Sequence, residues 1–191
     1  MDVKNHEKTN LTMIDLESLK YPIGKFSMPH TVDEQVMSQW IQDIKDLPSK
    51  LALVSSLLNP DDYFKTYRPG GWNISEVIHH MADSHMNAFI RVKLALTEDT
   101  PKIKPYFEDR WVKTPDVTLV SPQDSILILR GLHNRWATLL EACTSDELNR
   151  TFYHPEHQLD FPIASIIGMY AWHGNHHLAH VHLALKQESP E

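Results

Sequence analysis

The chain has 191 residues, of which 41% are hydrophobic and 23% charged, and a formal net charge of −7. That length suits one domain with a substantial core, and the balance of apolar and charged residues excludes a disordered or fibrous class. The acidic excess and the lack of any basic run exclude general binding to nucleic acid or to an anionic membrane, which rest on clustered positive charge.

Residues 1–30 read as a polar N-terminal arm. Its first fourteen residues, with Asp2, Asn5, Glu7 and Asn10, lack the apolar core of a signal peptide. No stretch elsewhere approaches a membrane span, so a cytoplasmic protein is expected. Tyr21-Pro22-Ile23-Gly24-Lys25-Phe26 closes the arm and is expected to pack on the domain through its aromatic rings. Residues 31–191 form the single domain. Thr31-Val32-Asp33-Glu34 has the form of a capping box and starts a helix over about 33–58, with Val36, Trp40, Ile41, Ile44 and Leu47 at helical spacing. Pro48 should kink that helix or split it in two.

A loop through Pro60 and Gly70-Gly71 leads to Asn73-Ile74-Ser75-Glu76, a second cap with an acid three positions on, and a helix over about 74–98. Val77, Ile78, Met81, Phe89, Val92 and Leu96 make its core stripe. A crossing with Pro101, Pro105, Pro115 and Pro122 follows, without clear periodicity, and loops that long are often functional. Ser121-Pro122-Gln123-Asp124 caps a third helix over about 122–143, whose stripe is Ile126, Leu129, Leu132, Trp136, Leu139 and Leu140. Cys143, the only cysteine, allows no intrachain disulfide and reads as a small packing residue at its end. A short helix near 145–150 and a loop through Tyr153-His154-Pro155-Glu156 come next. Pro162 then suits the first turn of the last helix, over about 162–187. Four long amphipathic segments with few strand signals predict an all-α four-helix bundle, with an arm at its start and a long loop between helices 2 and 3.

The last helix carries the chemistry. Five of the thirteen histidines fall between His173 and His182. At about 100° per residue, His173, His176, His177 and His180 share one arc with Ile166, Met169 and Ala184, and His182 falls on the far side. An arc with apolar neighbours faces inward, where an unpaired imidazole costs on the order of 1–3 kcal/mol. A bound cation satisfies several at once, and neutral imidazole is a ligand of zinc and nickel; a polar network without metal is the plainer alternative. Gly174 and Asn175 are poor helix formers, which suggests a bend or a close helix approach. A further ligand must come from another segment, and helix 2 offers His79, His80 and His85. On its wheel His85 lies within the apolar stripe and His79 on its border. His80 lies in a polar strip with Glu76, Asp83, Ser84, Asn87 and Arg91, which is either a solvated face or a seam beside a cleft.

Gly71-Trp72-Asn73-Ile74-Ser75-Glu76-Val77-Ile78-His79-His80-Met81-Ala82-Asp83-Ser84-His85-Met86-Asn87, with Trp172-His173 and His176-His177, resembles the DinB/YfiT superfamily of metal-dependent hydrolases. The Tyr21-Pro22-Ile23-Gly24 arm, Leu132-His133-Asn134-Arg135-Trp136 and Tyr153-His154-Pro155-Glu156 resemble its YfiT branch, and the likeness runs from about 20 to 185. The resemblance implies a four-helix bundle with one divalent ion per subunit, usually zinc and in some crystals nickel. It implies His80, eight positions after Trp72, and the His173/His177 pair as the three ligands. Family members commonly have glutamine at the position of His180, which argues against His180 as a primary ligand and leaves His79 and His176 as neighbours that hydrogen-bond water or substrate. The YfiT branch further implies a homodimer.

Three neutral histidines leave such an ion doubly positive with open positions. A metal-held water can then drop to a pKa of about 7, and a metal-held thiol is deprotonated. The first expectation is therefore a metal-dependent hydrolase. The second is an S-transferase using a low-molecular-weight thiol of the bacillithiol type, since the superfamily contains bacillithiol and mycothiol S-transferases, and the third is a non-catalytic scaffold stabilised by metal. The substrate is a small molecule, with nucleic acid and membrane excluded. Asp83, Glu76 and His154 are the candidate catalytic acids and bases, with Glu156 beside His154. Glu76 also reads as a helix cap and His154 as a turn residue. His133 and Arg135 are candidates for interhelical hydrogen bonds, Arg91 and Arg135 for a local cationic pocket, and Tyr106, Arg110 and Trp111 for a substrate mouth.

Overall fold

The computed structural model describes residues 16–186; the part of the arm over residues 1–15, including the stretch read for a signal peptide, lies outside them. Four long helices make the body: α1 (Glu34–Ser55), α2 (Ile74–Thr97), α3 (Pro122–Glu141) and α4 (Ile163–Lys186). Helices α1 and α2 each pack on both α3 and α4, so consecutive α1 and α2 sit diagonally and α2 runs beside α4. No helix among the described residues is long and apolar enough to cross a membrane.

The caps explain where the helices begin. Asp33, not Thr31, caps α1 by accepting the Val36 N–H at 2.8 Å. Asn73 and Glu76 form the expected capping box on α2: Asn73 Oδ1 accepts the Glu76 N–H at 2.9 Å, and Glu76 Oε2 accepts the Asn73 N–H at 2.8 Å. Ser121 caps α3.

Pro48 neither splits nor ends α1, which runs unbroken through it. Proline lacks the N–H that would bond the carbonyl of Ile44 four residues back. That carbonyl is taken instead by Nδ1–H of buried His133 on α3, so the expected interhelical role of His133 holds and the break in the backbone ladder is closed by a neighbouring helix.

Two segments read as irregular are ordered. The proline-rich crossing contains short helical turns at Glu108–Trp111 and Pro115–Leu119. The loop around His154 is an antiparallel hairpin, β1 (Thr151–His154) paired with β2 (Leu159–Pro162), in which Phe152 faces Phe161. Pro162 ends β2 and α4 starts one residue later. The N-terminal segment lies along α4: Gly24 O accepts from Trp172 Nε1 at 3.1 Å, and Tyr21 and Phe26 pack on His176 and Trp172.

The core is divided. One apolar cluster holds Ile44, Val92, Trp136, Phe152 and Ile167, and a second holds Leu47, Leu51, Ile78, Leu129 and Val181. In chain position the gap between them falls at 83–87 on α2, at 130–135 on α3 and at 172–180 on α4. His85, His133, His173, His176, His177 and His180 all lie in these gaps, so imidazoles form a polar layer across the middle of the bundle. The flanking clusters supply the hydrophobic stabilisation, about 1.5–3 kcal/mol for each large side chain buried.

Candidate metal centre

The adjacency of α2 and α4 brings His80 against His173 and His177, and ligand nitrogens of these three lie within 4.8 Å of one another. His80 Nε2 and His173 Nε2 are 3.3 Å apart. The Trp72 ring covers His80 with 4.7 Å between centroids. Among the described residues no carboxylate or cysteine joins this group.

The three residues fit a divalent ion on two counts. Two nitrogens bound tetrahedrally to zinc at about 2.0–2.1 Å stand roughly 3.3–3.4 Å apart, which is the separation seen between His80 and His173. Burial also keeps the rings neutral, holding His80 down to about 4 and His173 and His177 well below the ordinary imidazole range, the latter two with help from neighbouring histidines. Lone pairs are therefore available at neutral pH.

The group opens into a cleft of about 530 Å³, lined also by Ser84, Arg91, Tyr106, Glu108, His154, Glu156 and His157. The polar strip of α2 is thus a seam beside a cleft and not a solvated face, for Ser84 is buried and Asp83 and Asn87 are partly covered. Ser84 Oγ donates to Tyr170 Oη at 3.3 Å. Burial pushes the Tyr106 hydroxyl up, so it stays protonated.

The other candidates separate. His154 lines the cleft, its ring 4.5 Å from that of His157. Burial, then His157 and Arg91, hold it below the ordinary imidazole range. Asp83 is not among the lining residues; burial and the charge of Asp116 push its carboxyl up to about 6. Glu76 also stands outside the cleft, its carboxylate engaged in the α2 cap. His79 is not a neighbour of the site, since it turns to α3, where Nδ1 meets Ser125 Oγ at 2.8 Å. Of the cationic pair, Arg91 lines the cleft, whereas Arg135 stacks on Phe89. Tyr106 lines the mouth with Trp111 packed on it, while Arg110 stacks over Phe107.

His176, His177 and His180 make a second close group. His176 is stacked on Trp172 at 4.4 Å, and His180 on Tyr67 at 3.8 Å. His157 and Glu108 were not singled out from the sequence. The hairpin and the turn that carry them leave no periodic signal.

Comparison with known proteins agrees with this architecture. A family model described as the DinB superfamily matches residues 35–181. A Bacillus mycoides protein named "Putative metal-dependent hydrolase" is 46% identical over 167 residues, covering 87% of this chain and 95% of that one. A Bacillus anthracis protein of the same name is 44% identical with the same coverage. The structure of YfiT from Bacillus subtilis, described as "a probable metal-dependent hydrolase with an unusual four-helix bundle topology", matches with a TM-score of 0.84 at 38% identity, over 87% of this chain and 95% of that one. The mycothiol-dependent maleylpyruvate isomerase shares the fold at 14% identity and a TM-score of 0.60. With the bundle, the histidine layer and these relatives together, the chain belongs to the DinB/YfiT superfamily.

Proposed function

We propose that this protein is a metal-dependent hydrolase of a small-molecule substrate, with one divalent ion, zinc foremost and nickel second, held by His80, His173 and His177. The observation that carries this reading is the convergence of three neutral imidazoles from two helices on a cleft that leaves room for a ligand beside them. Its support in the relatives is their naming as metal-dependent hydrolases. An ion with three neutral ligands supplies Lewis acidity, which lets a water or a thiol ionise near neutral pH.

The side chains of the cleft do the rest. His154, neutral on the wall, takes a proton from the attacking group and returns it to the leaving group. Arg91 orients an anionic or carbonyl oxygen of the substrate, and Tyr106 donates a hydrogen bond with its protonated hydroxyl. Asp83, whose charge reaches the Tyr106 hydroxyl, stands outside the residues that line the cleft. The cleft volume also admits a low-molecular-weight thiol, which makes S-transfer the second reading of the same site.

Elemental analysis of untagged protein beside His173→Ala tests the ion: one equivalent of zinc or nickel is expected, lost in the variant. Ester and amide hydrolysis and thiol conjugation to a generic electrophile are then assayed on loaded protein. Hydrolysis that requires His173 supports the proposal. Conjugation without hydrolysis replaces it with an S-transferase, and a loaded protein with neither activity is a scaffold.

A further inference from the structure

The two candidate ligands on α4 each turn a second ring nitrogen toward another histidine. His180 Nε2 stands 3.1 Å from the carbonyl oxygen of Lys20. A carbonyl only accepts, so the single proton of the neutral His180 ring sits on Nε2 and its Nδ1 is a bare acceptor. His180 Nδ1 lies 3.3 Å from His177 Nδ1. Two imidazole nitrogens that close must share one proton, which therefore belongs to His177. His177 is thus protonated at Nδ1, and its free lone pair is on Nε2. The Tyr67 ring, stacked on His180 with 18° between planes, fixes the plane of this contact.

A second imidazole pair lies one turn earlier, where the ligand reading and not a carbonyl places the proton: His85 Nδ1 has no protein partner, and a His173 that gives Nε2 to the ion carries its proton on Nδ1. His173 uses Nε2 toward His80, while its Nδ1 is 3.1 Å from Nε2 of His85. His85 is fully buried, stacked on His133 and edge-on to Tyr170 and Trp136, so its ring cannot turn away.

We propose that His180 and His85 are positioning residues that hold His177 and His173 in the Nδ1-protonated tautomer, so that both offer Nε2 to the ion. This rests on the reading of His80, His173 and His177 as its ligands. On this reading His180 belongs to the support of His177, and the close group of His176, His177 and His180 needs no second ion. Ligand histidines are more often backed by a carboxylate, a carbonyl or water. An imidazole acceptor carries no charge, so the ligands stay weakly basic and the ion keeps more of its positive charge for the group it activates. The contact to Lys20 further ties the centre to the N-terminal segment.

Nitrogen-15 imidazole NMR of the zinc-loaded full chain reads the tautomers directly. The expected pattern is zinc on Nε2 of His173 and His177, their protons on Nδ1, the His180 proton on Nε2 and the His85 proton on Nδ1. Zinc on Nδ1 of either ligand, or a proton on His180 Nδ1 or His85 Nε2, overturns the proposal alone. Zinc bound elsewhere in the protein removes both the proposal and the ligand reading beneath it. Chelator competition gives a second measure. His180→Leu and His85→Leu should each weaken zinc binding by about 10–100-fold, while His180→Gln and His85→Gln, which keep an acceptor oxygen, should recover most of it, with similar metal-free melting temperatures across the four. Leucine variants that hold zinc as tightly as the native chain overturn the proposal.

Discussion

His80 Nε2 and His173 Nε2 face each other at 3.3 Å although 93 residues separate them in the chain. The contact exists because α2 and α4 are neighbours while α1 and α2 are diagonal. Replacing either residue, or His177, by alanine should abolish tight metal binding without unfolding the bundle, because the flanking apolar clusters are untouched. An ion that binds only the folded state stabilises it by mass action, about 2.7 kcal/mol at a hundredfold excess over Kd. Added zinc should therefore raise the melting temperature of the native chain and leave those of the three variants unchanged. A variant still stabilised by zinc would remove its residue from the ligand set.

The histidine layer makes the metal-free protein sensitive to acid. His80, His133, His176 and His180 are held to about 4, and His85, His173 and His177 lower still, burial being the first cause in each. These rings are neutral when folded but gain a proton near pH 6.5 when unfolded. The unfolded state then binds more protons, so stability is flat above about pH 7 and falls as pH drops from 6.5 toward 4. A depression from 6.5 to about 4 corresponds to roughly 3 kcal/mol for one buried ring. Denaturant midpoints at pH 7.5, 6 and 5 in the presence of chelator should fall in that order. A flat profile would mean that the layer is hydrated.

Much of this arrangement is legible in residue order because its determinants are local. The Asn73 and Glu76 cap, the i, i+4 pair His173 and His177, and the exposure of His182 all follow from helical geometry. The hairpin does not, since its strands have four residues each, with Pro155 directly after the first and Pro162 ending the second. Nor could periodicity divide the carboxylates: Glu76 and Asp83 share one helical strip, yet the first is spent on a cap and the second is not among the residues that line the cleft. The continuity of α1 through Pro48 depends on His133, 85 residues further on, and only a tertiary contact supplies it.

Gly174 sits among the histidines at a close approach of α4 to α1. A Cβ there would lie 2.6 Å from Cδ2 of Leu47, which is 1% exposed and has no space to retreat into. Gly174→Ala gains up to about 1 kcal/mol in helix propensity but incurs about 1–3 kcal/mol of overpacking. A net loss of up to about 2 kcal/mol is expected, read as a lower denaturant midpoint at constant slope. Unchanged or higher stability would show that the two helices can separate without penalty. The same substitution should weaken zinc binding, because moving α4 shifts His173 and His177 relative to His80 on α2.

His154 offers the cleanest separation of chemistry from metal binding. It stands on β1, on the cleft wall and outside the ligand group, and its Nδ1 is buried without a protein partner. A ring held below the ordinary imidazole range by burial, by His157 and by Arg91 is a neutral base at pH 7. His154→Gln should therefore keep one equivalent of metal and the native melting temperature while lowering kcat by about 10²–10⁴-fold, the usual worth of a general acid or base. In the native chain the acid limb of the rate profile should report a group titrating below 6.5, and that limb should vanish in the variant. Retained kcat with a higher KM would instead make His154 a substrate contact, and metal loss would place it in the ligand shell.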